Sequence, residues 1–180
     1  MKSLVDVKTP EDIFDKYRDT PISRLFEYHN LGKPAEICSK AQMLIITCMD
    51  YRIRFRIPDR FAYVLRTGGG NSQPNEFHIS YAVAVGGIEY IALIGHNHCG
   101  MVNLAARQEL FIHGLTKKAG WSHSAAAELF ERDAPRCEIE DEIKYLFNDL
   151  SRLRAKFPKI TIEPLMYLVE DNQLYQIKED

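Results

Sequence analysis

The chain has 180 residues, enough for one domain with a real hydrophobic core, and its 46% hydrophobic and 27% charged content is that of an ordinary globular protein. Twenty-three basic residues against 25 acidic ones leave a formal net charge of −2, so no basic surface draws it to nucleic acid or anionic lipid. No apolar run reaches the roughly 20 residues of a membrane span, and Met1–Lys8 lacks the apolar core of a secretory signal; the expectation is a cytoplasmic protein.

In chain order, Thr9-Pro10-Glu11-Asp12 and Thr20-Pro21 each read as a helix start, with a capping threonine and a proline suited to the first turn. They predict an N-terminal helical arm over 1–34, packed either on a partner subunit or on its own domain. An apolar run from Ala41 to Thr47 predicts the first strand, ending at Cys48. Arg52–Ile57 alternates basic and apolar residues, as a short edge strand or an extended turn would. Phe61–Arg66 predicts the second strand, followed by Thr67-Gly68-Gly69-Gly70. This glycine run lacks the order of a phosphate-binding loop and is read as a tight turn that lets backbone approach a site.

A helix from Gln73-Pro74-Asn75 closes at Gly86-Gly87, and Ile88–Ile94 predicts the third strand, ending at His96. Further helices are expected from Cys99-Gly100-Met101, from Ser122 or Ser124 to near Phe130, and along the stripe Ile139, Ile143, Leu146, Leu150, Leu153 and Phe157. A strand over 162–169, interrupted early by Pro164, and a short one over 174–177 complete the chain. Strands that are apolar throughout and alternate with helices predict an α/β fold: a single domain over 1–180 whose core, from residue 41 onward, is a mainly parallel sheet flanked by helices.

Two stretches carry the chemistry, Cys48-Met49-Asp50-Tyr51-Arg52 and Gly95-His96-Asn97-His98-Cys99-Gly100, each at the carboxyl end of a predicted strand. In open α/β sheets functional groups gather at those ends, so the two stretches meet if their strands are neighbours. Thiolate and imidazole are zinc ligands, and Cys48, His96 and Cys99 supply three. A helix amino end at Cys99 would help ionise its thiol. Two thiolates neutralise a dication, so a water on this metal acidifies less readily than on a three-histidine zinc. Asp50 can orient that water while Arg52 holds Asp50 ionised, or Asp50 can swing onto the metal as fourth ligand and close the site. His98, Cys38 and Cys137 are read as lying outside the ligand set.

The pattern Cys48-x-Asp50-x-Arg52 followed by His96-x-x-Cys99-Gly100, with Arg66-x-Gly68-Gly69 and Ser80-Tyr81-Ala82-Val83 between them, resembles the β-class carbonic anhydrases, most of all their small prokaryotic-type branch. The likeness extends from about Ala41 to Met101. The resemblance implies one zinc per chain on Cys48, His96 and Cys99, an Asp50–Arg52 catalytic pair, and backbone contacts to substrate or product near Gly69 and Gly100. The implied reaction is reversible hydration of carbon dioxide to bicarbonate, and related members hydrolyse carbonyl sulfide or carbon disulfide. It also implies a homodimer or dimer of dimers, with active sites near the interface and N-terminal helices embracing the partner. The sequence departs from the family pattern at Thr67, where asparagine is usual, at His98, and over Leu168–Asn172, where only the preceding Tyr167 is kept.

Overall fold

The computed structural model describes residues 3–178, which form one six-stranded sheet in the order β1-β6-β5-β4-β2-β3. The strands are β1 (Ser3–Val5), β2 (Met43–Cys48), β3 (Ala62–Thr67), β4 (Tyr90–His96), β5 (Thr161–Leu168) and β6 (Gln173–Lys178). β3, β2, β4 and β5 run parallel, while β6 lies antiparallel to both β5 and β1. This is the mainly parallel sheet expected from the apolar strands. β2 pairs with β3 on one side and β4 on the other, so strand order reverses at β2 and a crevice opens beyond its carboxyl end.

Alternation along the strands divides the core in two. Met43 and Ile45 of β2, Ala92 and Ile94 of β4, and Leu165 and Tyr167 of β5 face α1 (Pro21–His29) and the chain around it. Leu44, Ile46, Ile91, Leu93, Ile162 and Met166 face α2 (Glu76–Ala84) and α5 (Glu142–Lys156). α3 (Gln108–Ala119) and α4 (His123–Cys137) pack on each other, with the Phe111 and Phe130 rings 5.2 Å apart. A Cβ at Gly95 would meet Met166 Sδ of β5 at 3.3 Å and Leu146 Cδ2 of α5 at 3.5 Å. Pro164 is tolerated inside β5 because β6 pairs only from Leu165 to Leu168, leaving Pro164 where a missing N–H breaks no bond to β6.

Several expectations need correction. Pro10–Asp12 forms a single 3-10 turn, and a second spans Asp15–Tyr17. The chain ahead of them adds β1 to the sheet, which three residues of modest burial did not announce. α1 does begin at the Thr20 cap, whose hydroxyl accepts from Ile22 N, and Ile22, Leu25 and Phe26 are fully buried against the chain's own sheet. Of the two readings of Arg52–Ile57, the edge strand is not formed and the chain is irregular, as an extended turn would be. No helix begins at Cys99: the chain makes a turn, then a 3-10 segment over Leu104–Arg107, and α3 starts only at Gln108. Ser122 caps α4, which runs past Phe130 to Cys137. Ile139 precedes α5 and forms a bridge with Val102 instead.

Candidate metal centre

β2 and β4 are adjacent and in register from Leu44↔Ile91 to Thr47↔Ile94, so their next residues, Cys48 and Gly95, emerge side by side. That juxtaposition brings the two motif stretches together. A nitrogen of His96 and the sulfurs of Cys48 and Cys99 all lie within 4.8 Å of one another. The three residues are 2%, 4% and 5% exposed, respectively, and the sulfurs are 4.0 Å apart.

His96 shows what this cluster is shaped for. Its Nδ1 lies 2.9 Å from the Asn97 carbonyl, which can only accept, so the ring proton sits on Nδ1 and the lone pair on Nε2. Among the buried side-chain nitrogens and oxygens of the described residues, Nε2 is the one left without a hydrogen-bond partner. An orphaned buried acceptor is costly unless something fills its lone pair. The sulfurs match: two thiolates on one tetrahedral zinc, each about 2.3 Å from the ion, stand roughly 3.8 Å apart. The two sulfurs lie within hydrogen-bonding reach and can share one proton, which makes one thiol of the pair easier and the other harder to ionise. A dication binding here replaces the shared proton and draws both sulfurs to the thiolate form. The donor set therefore fits zinc.

Asp50 and Arg52 form a closed pair beside the cluster. Arg52 Nε donates to Asp50 Oδ1 at 2.9 Å, Nη2 to Oδ2 at 2.7 Å, and the Arg52 backbone N–H to Oδ1 at 2.9 Å. The guanidinium lowers the Asp50 pKa to about 2. Arg52 Nη2 also donates to the His98 carbonyl at 2.9 Å, so one side chain ties the two motif stretches. Both Asp50 oxygens are engaged by Arg52, and Asp50 is not part of the ligand cluster.

The remaining candidates are placed as follows. Gly69 adopts φ +65°, in the left-handed region that glycine takes without strain, and lines a narrow cavity of 10 Å³ together with His96 and Cys99. Gly100 sits in the turn after Cys99 with open space beside its Cα. His98 is exposed, also left-handed with φ 52°, and pairs with Glu170 at 2.7 Å, away from the ligand cluster. Cys38 is buried and donates weakly to the Glu36 carbonyl, and Cys137 ends α4.

Three contributors had no role assigned from the sequence, although Arg66 stood in one of its motifs. Arg66 donates to the Cys48 carbonyl at 3.2 Å and the Ile53 carbonyl at 3.1 Å, so the arginine of the Arg66-x-Gly68-Gly69 pattern clamps the loop that carries Asp50. Glu142, at the start of α5, accepts from Cys99 N at 3.3 Å, the position at which a helix amino end was expected. Asn97 donates to both oxygens of Glu170 and accepts from Val169 N, which anchors the His96–Cys99 turn to the end of β5.

No protein-family model matches the chain, and no curated protein matches it in sequence. Solved structures do. β-Carbonic anhydrase isoform I from the protozoan Trichomonas vaginalis superposes with a TM-score of 0.62 at 19% identity, over 90% of this chain and 96% of that one. A carbonic anhydrase from Glaciozyma antarctica gives a TM-score of 0.60 at 20% identity, over 90% and 98%. The apo form of a carbon disulfide hydrolase gives 0.53 at 21% identity, over 91% of each chain. The chain thus has the β-carbonic anhydrase fold, with a Cys-His-Cys group that can hold a metal at the carboxyl ends of its central strands.

Proposed function

We propose that the protein is a zinc-dependent carbonic anhydrase of the β class, which hydrates carbon dioxide to bicarbonate and reverses the reaction. The observation that carries this reading is the unpartnered Nε2 of His96 beside two sulfurs 4.0 Å apart, next to an arginine-clamped carboxylate. Cys48, His96 and Cys99 would hold one zinc per chain, which supplies Lewis-acid activation of water when bound. Asp50, with its pKa near 2, stays ionised at neutral pH and accepts a hydrogen bond from the attacking water. So acidic a carboxyl cannot store the proton, which therefore leaves to solvent. Arg52 keeps both Asp50 oxygens fixed, and backbone groups near Gly69 and Gly100 are the proposed contacts to the product. The engagement of Asp50 by Arg52 favours this open arrangement over a closed site with Asp50 on the metal.

Stopped-flow hydration of carbon dioxide by zinc-loaded protein tests the reading, with a rate well above buffer that is lost on chelation as the expected result. No rate above buffer at alkaline pH overturns it. The similarity to a carbon disulfide hydrolase motivates a second substrate class on the same framework, carbonyl sulfide or carbon disulfide. Sulfide release from those gases, measured on the same preparation, separates the two. Ligand thiols that must remain reduced suit a cytoplasmic setting.

We also propose a homodimer. β3 is an edge strand of a mainly parallel sheet, yet Tyr63 and Val64 are exposed, and Phe77 and Tyr81 of α2 and Val85 at its C-cap follow at four-residue spacing with exposures of 77%, 54% and 67%. Between β3 and α2 lies an apolar groove of about 400 Å³ lined by Leu44, Tyr63, Val64, Phe77 and Tyr81. Parallel sheets are normally covered on both faces, and a second copy of this chain supplies such cover.

A further inference from the structure

Arg52–Ile57 has the alternation of a strand but joins none, because its backbone groups are taken by side chains: Asp50 and Arg66 at Arg52 and Ile53, Tyr167 and His29 from Arg52 to Arg56. The Tyr167 hydroxyl lies 3.3 Å from the Arg54 amide nitrogen, 3.3 Å from the Arg52 carbonyl and 3.1 Å from Asn172 Oδ1. It accepts from Arg54 N–H and shares its one proton between the two oxygens. Two residues further on, the Arg56 amide donates to His29 Nδ1 at 3.0 Å, which leaves the imidazole proton on Nε2 to donate to the Asn172 carbonyl at 3.0 Å. The rings are packed together: His29 on Phe55 at 5.9 Å, His29 on Tyr167 at 5.8 Å and Phe55 on Tyr167 at 6.1 Å. Tyr167 and His29 are both buried.

Tyr167 also reaches the second motif. It stands opposite His96 in the β4–β5 register, and its carbonyl accepts from Asn97 N at 3.4 Å. Through its hydroxyl it bonds the loop that carries Asp50 and Arg52, and through its backbone it bonds the turn that carries His96 and Cys99. A phenylalanine would fill the same aromatic cluster and would bond only the second of these. The hydroxyl therefore has a use that packing does not explain.

We propose that Tyr167, supported by His29, is a positioning residue that sets the Asp50–Arg52 pair against the metal ligands. Neither side chain touches reacting atoms. The hydroxyl restrains the carbonyl of Arg52 and the amide of Arg54 on either side of Ile53, adding to the bonds of Asp50 to the Arg52 amide and of Arg66 to the Ile53 carbonyl, and so limits the swing of the Arg52 backbone. Its guanidinium then makes its paired bonds to Asp50 and its third to the His98 carbonyl. α1, through His29, thereby becomes part of the support of the centre. The kinetic consequence rests on the carbonic anhydrase reading, whereas the restraint of the loop does not.

The test is Tyr167→Phe in the full chain, zinc-loaded for kinetics and cobalt(II)-substituted for spectroscopy. The expected result is one metal per chain, amide hydrogen exchange faster over residues 52–56 but unchanged in β2 and β4, and an altered cobalt visible spectrum. kcat falls about tenfold to a hundredfold while KM stays within about twofold, the pattern of a misplaced group that acts in the transition state. His29→Phe keeps the ring cluster, loses the bonds to Arg56 and Asn172, and shifts the same readouts in the same direction by less; it also carries the test if Tyr167→Phe does not fold. Unchanged exchange over 52–56 overturns the proposal, as does a loosened loop with wild-type kcat and spectrum. A wild-type protein with no hydration activity defeats the functional reading alone, since exchange and the cobalt spectrum still decide whether Tyr167 positions the pair.

Discussion

β4 and β3 are both apolar strands of one parallel sheet, yet the structure treats them in opposite ways. β4 lies between β2 and β5, Ile91 to Ile94 are buried, and its end carries His96. β3 has a single neighbour, and Tyr63 and Val64 are left exposed. A central strand is covered within the chain, so it can hold buried ligands whose unmet valences select a metal. An edge strand leaves apolar side chains exposed within one chain, and the proposed homodimer is the cover for them.

The sharpest way to break the central side of that contrast is to remove a ligand. Cys99→Ser should abolish stoichiometric zinc binding and bring hydration to the buffer rate, checked by metal analysis and stopped-flow assay; full zinc content in this variant would show that the ion sits elsewhere. Next in size is the acid sensitivity of the face beneath β4 and β5. Burial lowers the His29 pKa from 6.5 to about 4, with the Arg56 charge adding to the shift and the Asn172 carbonyl opposing it. A depressed histidine means that the unfolded chain binds the proton first. Stability from neutral His29 is therefore complete above about pH 6.5, declines as the pH falls, and is lost below about 4, amounting to roughly 3 kcal/mol. Denaturant midpoints between pH 7 and 4 should show this slope in the wild type and a flatter one in His29→Phe.

Asp50→Asn should retain zinc and lower kcat roughly a hundredfold, about 2.7 kcal/mol, with the change carried by kcat rather than KM. Wild-type kcat in this variant would remove Asp50 from the reaction. The smallest expected effect lies on the β3 side. Phe77→Asp should weaken self-association at least about thirtyfold, read by sedimentation, whereas Leu110→Asp on the exposed side of α3 leaves it unchanged. Equal behaviour of the two variants would move the interface away from the β3 and α2 face.

Much of the centre was legible because its signals are local. Cys48, Asp50 and Arg52 fall within five residues, and His96 and Cys99 within four, each behind an apolar run that can only be a buried strand. The capped starts of α1 and α4 were readable for the same reason: a threonine or serine hydroxyl meets a backbone amide two or three residues away. Where the expectation failed, long-range partners had overridden the local pattern. Cys99 looked like a helix start, but its amide is taken by Glu142, 43 residues later. Arg52–Ile57 read equally as an edge strand or an extended turn, and its backbone groups go to Arg66, Tyr167 and His29 in place of a neighbouring strand.

The sequence by itself singled out Cys48, His96 and Cys99 as candidate ligands and Asp50 with Arg52 as a pair, because residue chemistry and short spacing suffice to nominate both. Only the tertiary structure decided that β2 and β4 are neighbours, that Asp50 is held by Arg52 outside the ligand cluster, and that α1 supports the loop behind them. Apart from the Asp50–Arg52 bonds themselves, those features depend on strand pairing and on hydrogen bonds such as Arg52 to His98, Tyr167 to Arg54 and His29 to Arg56, between residues tens to more than a hundred positions apart, which no local pattern encodes.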